Sequence, residues 1–116
     1  MEIEVKERKV IEEGKHEGKI MNVENRTEPY EYTDYSIEME DNIVLKYGVP
    51  TDVTVDEKGN PTTKHARLLK ALGLLGNGAK VDPEQAIGMS IKFMTLNKET
   101  DKGTFANVVD GSIKKA

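Results

Sequence analysis

Between Tyr30 and Val49 apolar and polar residues alternate in two runs, interrupted at Asp41-Asn42. Such alternation belongs to a strand with one dry and one wet face, and it forbids a helix over the same residues. In the first run Tyr35, Ile37 and Met39 share one face, and Asp34, Ser36, Glu38 and Glu40 share the other. In the second, Ile43, Leu45, Tyr47 and Val49 oppose Val44, Lys46 and Gly48. A break this short makes the pair an antiparallel hairpin. Carried backwards, the same period puts Tyr30 and Tyr32 on the polar face with Asp34 and separates them from Tyr35, which belongs to the core. Tyr47 shares the apolar face but lies near a strand end.

Two segments precede the hairpin. Residues 1–13, "MEIEVKERKVIEE", place Ile3 and Val5 between charges and suit a short strand or a charged N-terminal arm. In "GKHEGKIMNVENR", residues 14–26, the apolar phase shifts between Ile20 and Met21, as in a bulged or sharply bent strand. Glu28-Pro29 then marks a turn.

After the hairpin, "TDVTVDEKGNP" stays extended to a Gly-Asn-Pro turn, and the period changes. In "TTKHARLLKALG", Leu68, Leu69 and Leu72 join His65 or Ala66 on a helical stripe, with Thr62 or Thr63 to cap its start and Gly73 to end it. "GNGAK" reads as a mobile linker. Asp82-Pro83-Glu84-Gln85 starts a second helix of a turn or two. Alternation returns in "GMSIKFMTLN", and "KETDKG" is a hairpin loop leading to a last strand, "TFANVVDGSIKKA". Phe93 and Phe105 are expected in the core by the same period. Three strands, a helix and two strands in one domain, residues 1–116, is the connectivity of the five-stranded Greek-key barrel that binds oligonucleotides and oligosaccharides. A split β-sandwich or an α+β roll shares this order.

Composition narrows the chemistry. There is no cysteine, which excludes disulfides, thiolate catalysis and cysteine-bound zinc, and His16 and His65 are too few for a histidine metal site. No nucleophile elbow or phosphate-loop motif is present, so neither an enzyme nor a cofactor is expected. Apolar runs stay well short of the roughly 18 residues of a membrane helix, so a soluble cytoplasmic protein is the expectation. The net charge of −4 hides an asymmetry: residues 1–60 carry 8 Lys+Arg against 16 Asp+Glu, and residues 61–116 carry 9 against 5. A generic polyanion binder is disfavoured, but a locally basic face is not.

The runs "GKHEGKIMNVENR…YTDYSIEME", "HARLLKALGLLG" and "DPEQAIGMSIKFMTLN…KGTFANVVDG", residues 14–111, resemble phage and prophage single-stranded-DNA-binding-like proteins of this barrel class. The shared features are the glycine-led first strand, the leucine-rich helix ending in "ALG", the acidic cap before strand four and "N-V" in the last strand. His16 stands where such proteins often carry an aromatic residue. The "SIKKA" end is not the acidic tail with which bacterial single-strand binders recruit partners.

The resemblance implies single-stranded DNA as partner and no chemistry. Aromatic faces would stack bases at ~1–3 kcal/mol each, and cations would follow the backbone. Arg26, Tyr30 and Tyr32 fall at the loop joining strands 1 and 2, Lys46 and Lys92 point outward from strands 3 and 4, and Lys98 and Lys102 flank the loop joining strands 4 and 5. These seven are the candidate contacts, and the fold is expected to bring them to one face. Tyr30 and Tyr32 also suit a half-wet barrel mouth. Glu28, Glu31, Asp34, Glu38 and Glu40 crowd strand 2 and would repel phosphate, so weak, salt-sensitive binding, or binding helped by homo-oligomerisation, is expected. The competing expectation is an adaptor of the same fold whose acidic face meets a basic protein.

Overall fold

A computed structural model of the protein describes residues 1–3, 11–76 and 80–116. The N-terminal arm or strand and the "GNGAK" linker fall largely on residues 4–10 and 77–79, outside the described residues. The chain is mostly β, with strands β1 (Gly14–Arg26), β2 (Tyr32–Glu38), β3 (Val44–Pro50), β4 (Ser90–Thr100), β5 (Gly103–Val108) and β6 (Lys114–Lys115). Its helix, α1 (Lys64–Ala71), lies between β3 and β4. The sheet order is β3-β2-β1-β4-β5, every pairing is antiparallel, and β6 adds to β4.

The long first strand is central. Its first half pairs with β4 and its second with β2, and the register slips between Ile20 and Asn22. The sequence shift at Ile20-Met21 is this bulge: Ile20 is buried while Met21 turns to solvent. The hairpin β2–β3 closes through a single 3-10 turn at Glu40–Asn42, where Asn42 takes a positive φ of 59°.

The core lies on one side of the sheet. Ile20, Tyr35, Ile37, Val49, Ile91 and Phe93 cluster with Leu68 of α1 and Leu72 at its C-terminal cap, and Leu69 is buried as well. Thr63 caps the helix by accepting the Ala66 N–H, and Gly73, at φ 73°, ends it. The second short helix is one 3-10 turn, Pro83–Ala86, capped by Asp82.

Two expectations need correction. The last strand is not continuous: a turn at Asp110-Gly111 splits it into β5 and β6, so among the described residues the sheet has six strands. The sheet is also not closed. β3 and β5 approach within 8 Å at Cα but share no ladder. Across this seam the Tyr47 hydroxyl donates to Asp110 at 2.6 Å, and Lys64 of α1 donates to the other carboxylate oxygen at 3.0 Å. Among the described residues no helix is long and apolar enough to cross a membrane.

Candidate nucleic-acid interface

The face of the sheet turned away from the core carries five of the candidate residues, Arg26, Tyr32, Lys46, Lys92 and Lys98, and Tyr30 and Lys102 lie in loops. Arg26 and Tyr32 oppose each other where β1 meets β2. The guanidinium lies 4.9 Å from the centre of the Tyr32 ring, and its Nε and a terminal nitrogen donate to the two Asp34 oxygens at 3.0 and 3.3 Å. This fork needs space on β3. Gly48 is opposite Asp34, and a Cβ there would lie 2.6 Å from the carboxylate. The arrangement holds Arg26 firmly protonated, chiefly through the Asp34 hydrogen bonds. It also neutralises the charge and covers one face of Tyr32. Tyr30, in the loop beyond, is 71% exposed.

The other candidates spread along the sheet. Lys46 is exposed opposite Ser36, on the same half as Arg26. Lys92 opposes Glu17 on β1 and Lys114 on β6, with a 3.8 Å ion pair to Glu17. Lys98 opposes Phe105, and Lys102 sits in the β4–β5 turn. Gly14, which begins β1, pairs with Thr95, and Arg26 ends the strand. At about 3.3 Å per residue the two ends of β1 are roughly 40 Å apart along the chain. The structure therefore brings Arg26 and Tyr32 together, sets Lys46 on their half, and puts Lys92, Lys98 and Lys102 on the other half.

Phe105 corrects the sequence reading. It is 42% exposed rather than core, because pairing with Lys98 fixes it on the outer face while Ala106 and Val108 turn partly inward. Period two cannot say which of two faces is the dry one in a strand so poor in large residues. The signal was in the turn: Asp101-Lys102 joins Thr100 directly to Gly103, and counting back along that hairpin puts Phe105 opposite Lys98.

Lys15, Lys19 and Lys114 were not singled out from sequence either. With Lys92 and Lys98 they make five lysines on the outer side of the β4 half, with Glu17 opposite Lys92 and Glu38 opposite Lys19 in their ladder positions. The β2 half carries Glu24, Asp34 and Glu38 against Arg26 and Lys46.

Beside β1 and β4 a groove of about 990 Å³ opens, with Met39, Ile43, Phe93 and Val109 among its lining together with lysines (Lys15, Lys92, Lys114) and acids (Glu17, Glu40). His16 lines it too, its ring 5.9 Å from that of Phe93 and its Nε2 2.6 Å from the Glu12 carbonyl. The other histidine is unavailable for chemistry. His65 is buried, donates from Nδ1 to the Thr51 carbonyl at 2.9 Å and accepts the Tyr35 hydroxyl at Nε2 at 2.5 Å. Burial pushes its pKa down and that of Tyr35 up. Among the described residues no group of three or more His, Cys, Asp or Glu side chains is placed to hold a metal ion. No family model matches the chain, and no curated protein matches it.

Proposed function

We propose that this chain is a non-catalytic single-stranded-nucleic-acid-binding protein, with single-stranded DNA of phage-type replication or recombination as its partner. Its sheet is then an oligonucleotide-binding barrel left open along the β3–β5 seam. The order β3-β2-β1-β4-β5 around one long bulged strand, with a helix between β3 and β4, supports that reading of the fold.

The observation that carries the function is the chemistry of the outer face. The exposed Phe105 and the half-buried Tyr32 share it with rows of lysine and Tyr30 is exposed in the adjoining loop, whereas ionisable groups in the core are consumed in internal hydrogen bonds. Base stacking and phosphate neutralisation need those two kinds of group and nothing reactive. Arg26, Tyr30, Tyr32, Lys46, Lys92, Lys98 and Lys102 are the proposed contacts. Arg26 and Tyr32 contribute only if a ligand displaces their mutual contact and the Asp34 ion pair.

The test is an anisotropy titration of a labelled single-stranded oligonucleotide at low salt, comparing wild type with the double variant Tyr30→Ala/Tyr32→Ala. Binding by the wild type at micromolar protein, weakened in a variant whose circular dichroism and melting are unchanged, is the expected result. No wild-type binding at ~100 μM, the weak end of non-specific affinities, refutes it. That result would favour the adaptor, for which the acids Glu24, Asp34 and Glu38 on the β2 half offer a surface to a basic protein.

A further inference from the structure

We infer that the main track of the nucleic acid runs over the β4–β5–β6 half of the outer face, not over β2 and β3, with Phe105 as its stacking ring and Lys15, Lys92, Lys98 and Lys114 as its phosphate contacts. This rests on the single-strand-binding reading above and adds the location and the polarity of the surface.

Register supplies the first support. Along β4 the outward residues are Ser90, Lys92, Met94, Leu96 and Lys98, each exposed, while Ile91, Phe93 and Thr95 between them are buried. Met94 is 41% exposed and Leu96 57%, and Phe105 stands beside Lys98 on the neighbouring strand. The centre of this half is therefore an apolar strip bounded by lysine at both ends. Lys92 and Lys98 are six residues apart, about 20 Å along an extended strand, enough for several nucleotides of a barrel's usual footprint. Lys15 flanks the strip beside Met94, and Lys114 flanks it beside Lys92.

Such a strip suits single strands better than duplex. Unpaired bases have apolar faces to lay on Met94, Leu96 and Phe105, whereas a duplex hides its bases and offers phosphates alone. A basic rim around an exposed apolar centre is also the chemistry that an acidic, base-bearing polymer complements.

Charge supplies the second support. Of the acids that crowd strand 2, Asp34 lies on the other half, in register with Glu24 of β1, while Glu38 stands opposite Lys19 and Glu40 lines the groove that Lys15, Lys92 and Lys114 share. On that other half Arg26 is tied to Asp34. Opposite Lys92 the acid in register is Glu17, and their ion pair is long and exposed on both sides, a contact readily exchanged for phosphate.

The chain has no tryptophan, so Phe105→Trp and Tyr30→Trp each install a single reporter in otherwise intact protein. Adding single-stranded oligonucleotide is expected to quench the Phe105→Trp emission to saturation. Phe105→Ala is expected to weaken binding about tenfold, within the range for loss of one stacked base, and Lys114→Gln to weaken it more than Lys46→Gln does. Quenching of Tyr30→Trp with no change in Phe105→Trp, at saturating oligonucleotide, would overturn the location while leaving the single-strand reading intact. Absence of wild-type binding would overturn both. Equal binding of single and double strands would overturn the stacking role of Phe105.

Discussion

Gly18 lies under the crossing of β1 with the packed face, in ladder with Ile91. A Cβ at this position would stand 2.8 Å from the Glu38 carbonyl oxygen, 2.8 Å from the Ile37 Cγ2 and 3.2 Å from the Phe93 ring. One of those neighbours is backbone, so the strand pair itself must move to admit a methyl group. Gly18→Ala is expected to destabilise the protein by about 1–3 kcal/mol, as overpacking does, measured as a lowered urea midpoint. Gly76→Ala, with open space around the site, is expected to leave the midpoint within about 0.5 kcal/mol of wild type. From sequence Gly18 was only a marker of the strand, because a close approach is made by residues 19 and 75 positions away in the chain. The tyrosines were more legible. Alternation alone separated Tyr35 from Tyr32, since a period of two leaves one answer once Ile37 and Met39 name the dry face. It could not show that Tyr32 already has a cation over its ring, because Arg26 reaches it through the register of a second strand.

Helix α1 was readable as an element because its leucines fall on one stripe and Thr63 and Gly73 bracket it. The role of His65 was not, since a histidine on an apolar stripe looks the same whether it packs or bonds. In the structure it pins the helix to β2 through Tyr35 and to the segment after β3 through Thr51. Both bonds need the neutral ring: Nδ1–H donates, and Nε2 has a lone pair to accept. Protonation adds a second N–H facing the Tyr35 hydroxyl and a charge in the core, and burial is the main cause of the lowered pKa. The folded state therefore holds a proton less readily than the unfolded chain, whose histidine titrates near 6.5. Stability from this pin is complete above that value and is lost as pH falls below it. Urea midpoints are expected to stay level above about pH 6.5 and to drop progressively as the pH falls below it, toward the lowered pKa of the folded state. His65→Gln, less stable throughout, is expected to flatten that slope. An unchanged slope in the variant would place the titrating group elsewhere. β5 makes the opposite case from α1. Its six residues hold too little apolar bulk to name an inner face, so only the hairpin register could do so, and the period-two reading sent Phe105 the wrong way.

At the scale of the whole molecule, element order was legible because each change of period marks a change of element. Closure was not, because it depends on whether β3 and β5 share a ladder, and the local pattern of either strand is the same in both cases. The structure leaves that seam to Tyr47, Asp110 and Lys64. Net charge misleads for a related reason. A value of −4 describes a molecule that repels polyanions at a distance, yet a ligand in contact feels the lysines of the surface it touches, within a Debye length of about 8–10 Å. The four lysines proposed as phosphate contacts, Lys15, Lys92, Lys98 and Lys114, imply that log affinity for a single strand falls with log salt at a slope of about −3, from roughly −0.7 per neutralised phosphate. Replacing Lys92 and Lys114 together by glutamine is expected to halve that slope, and replacing Lys46 to change it far less. Affinity titrations from low to physiological salt give the slope directly. If it stayed near zero in the wild type, or if Lys46 carried as much of it as Lys92 and Lys114, the ligand would not be following the basic half of the sheet, whatever the affinity at a single salt concentration.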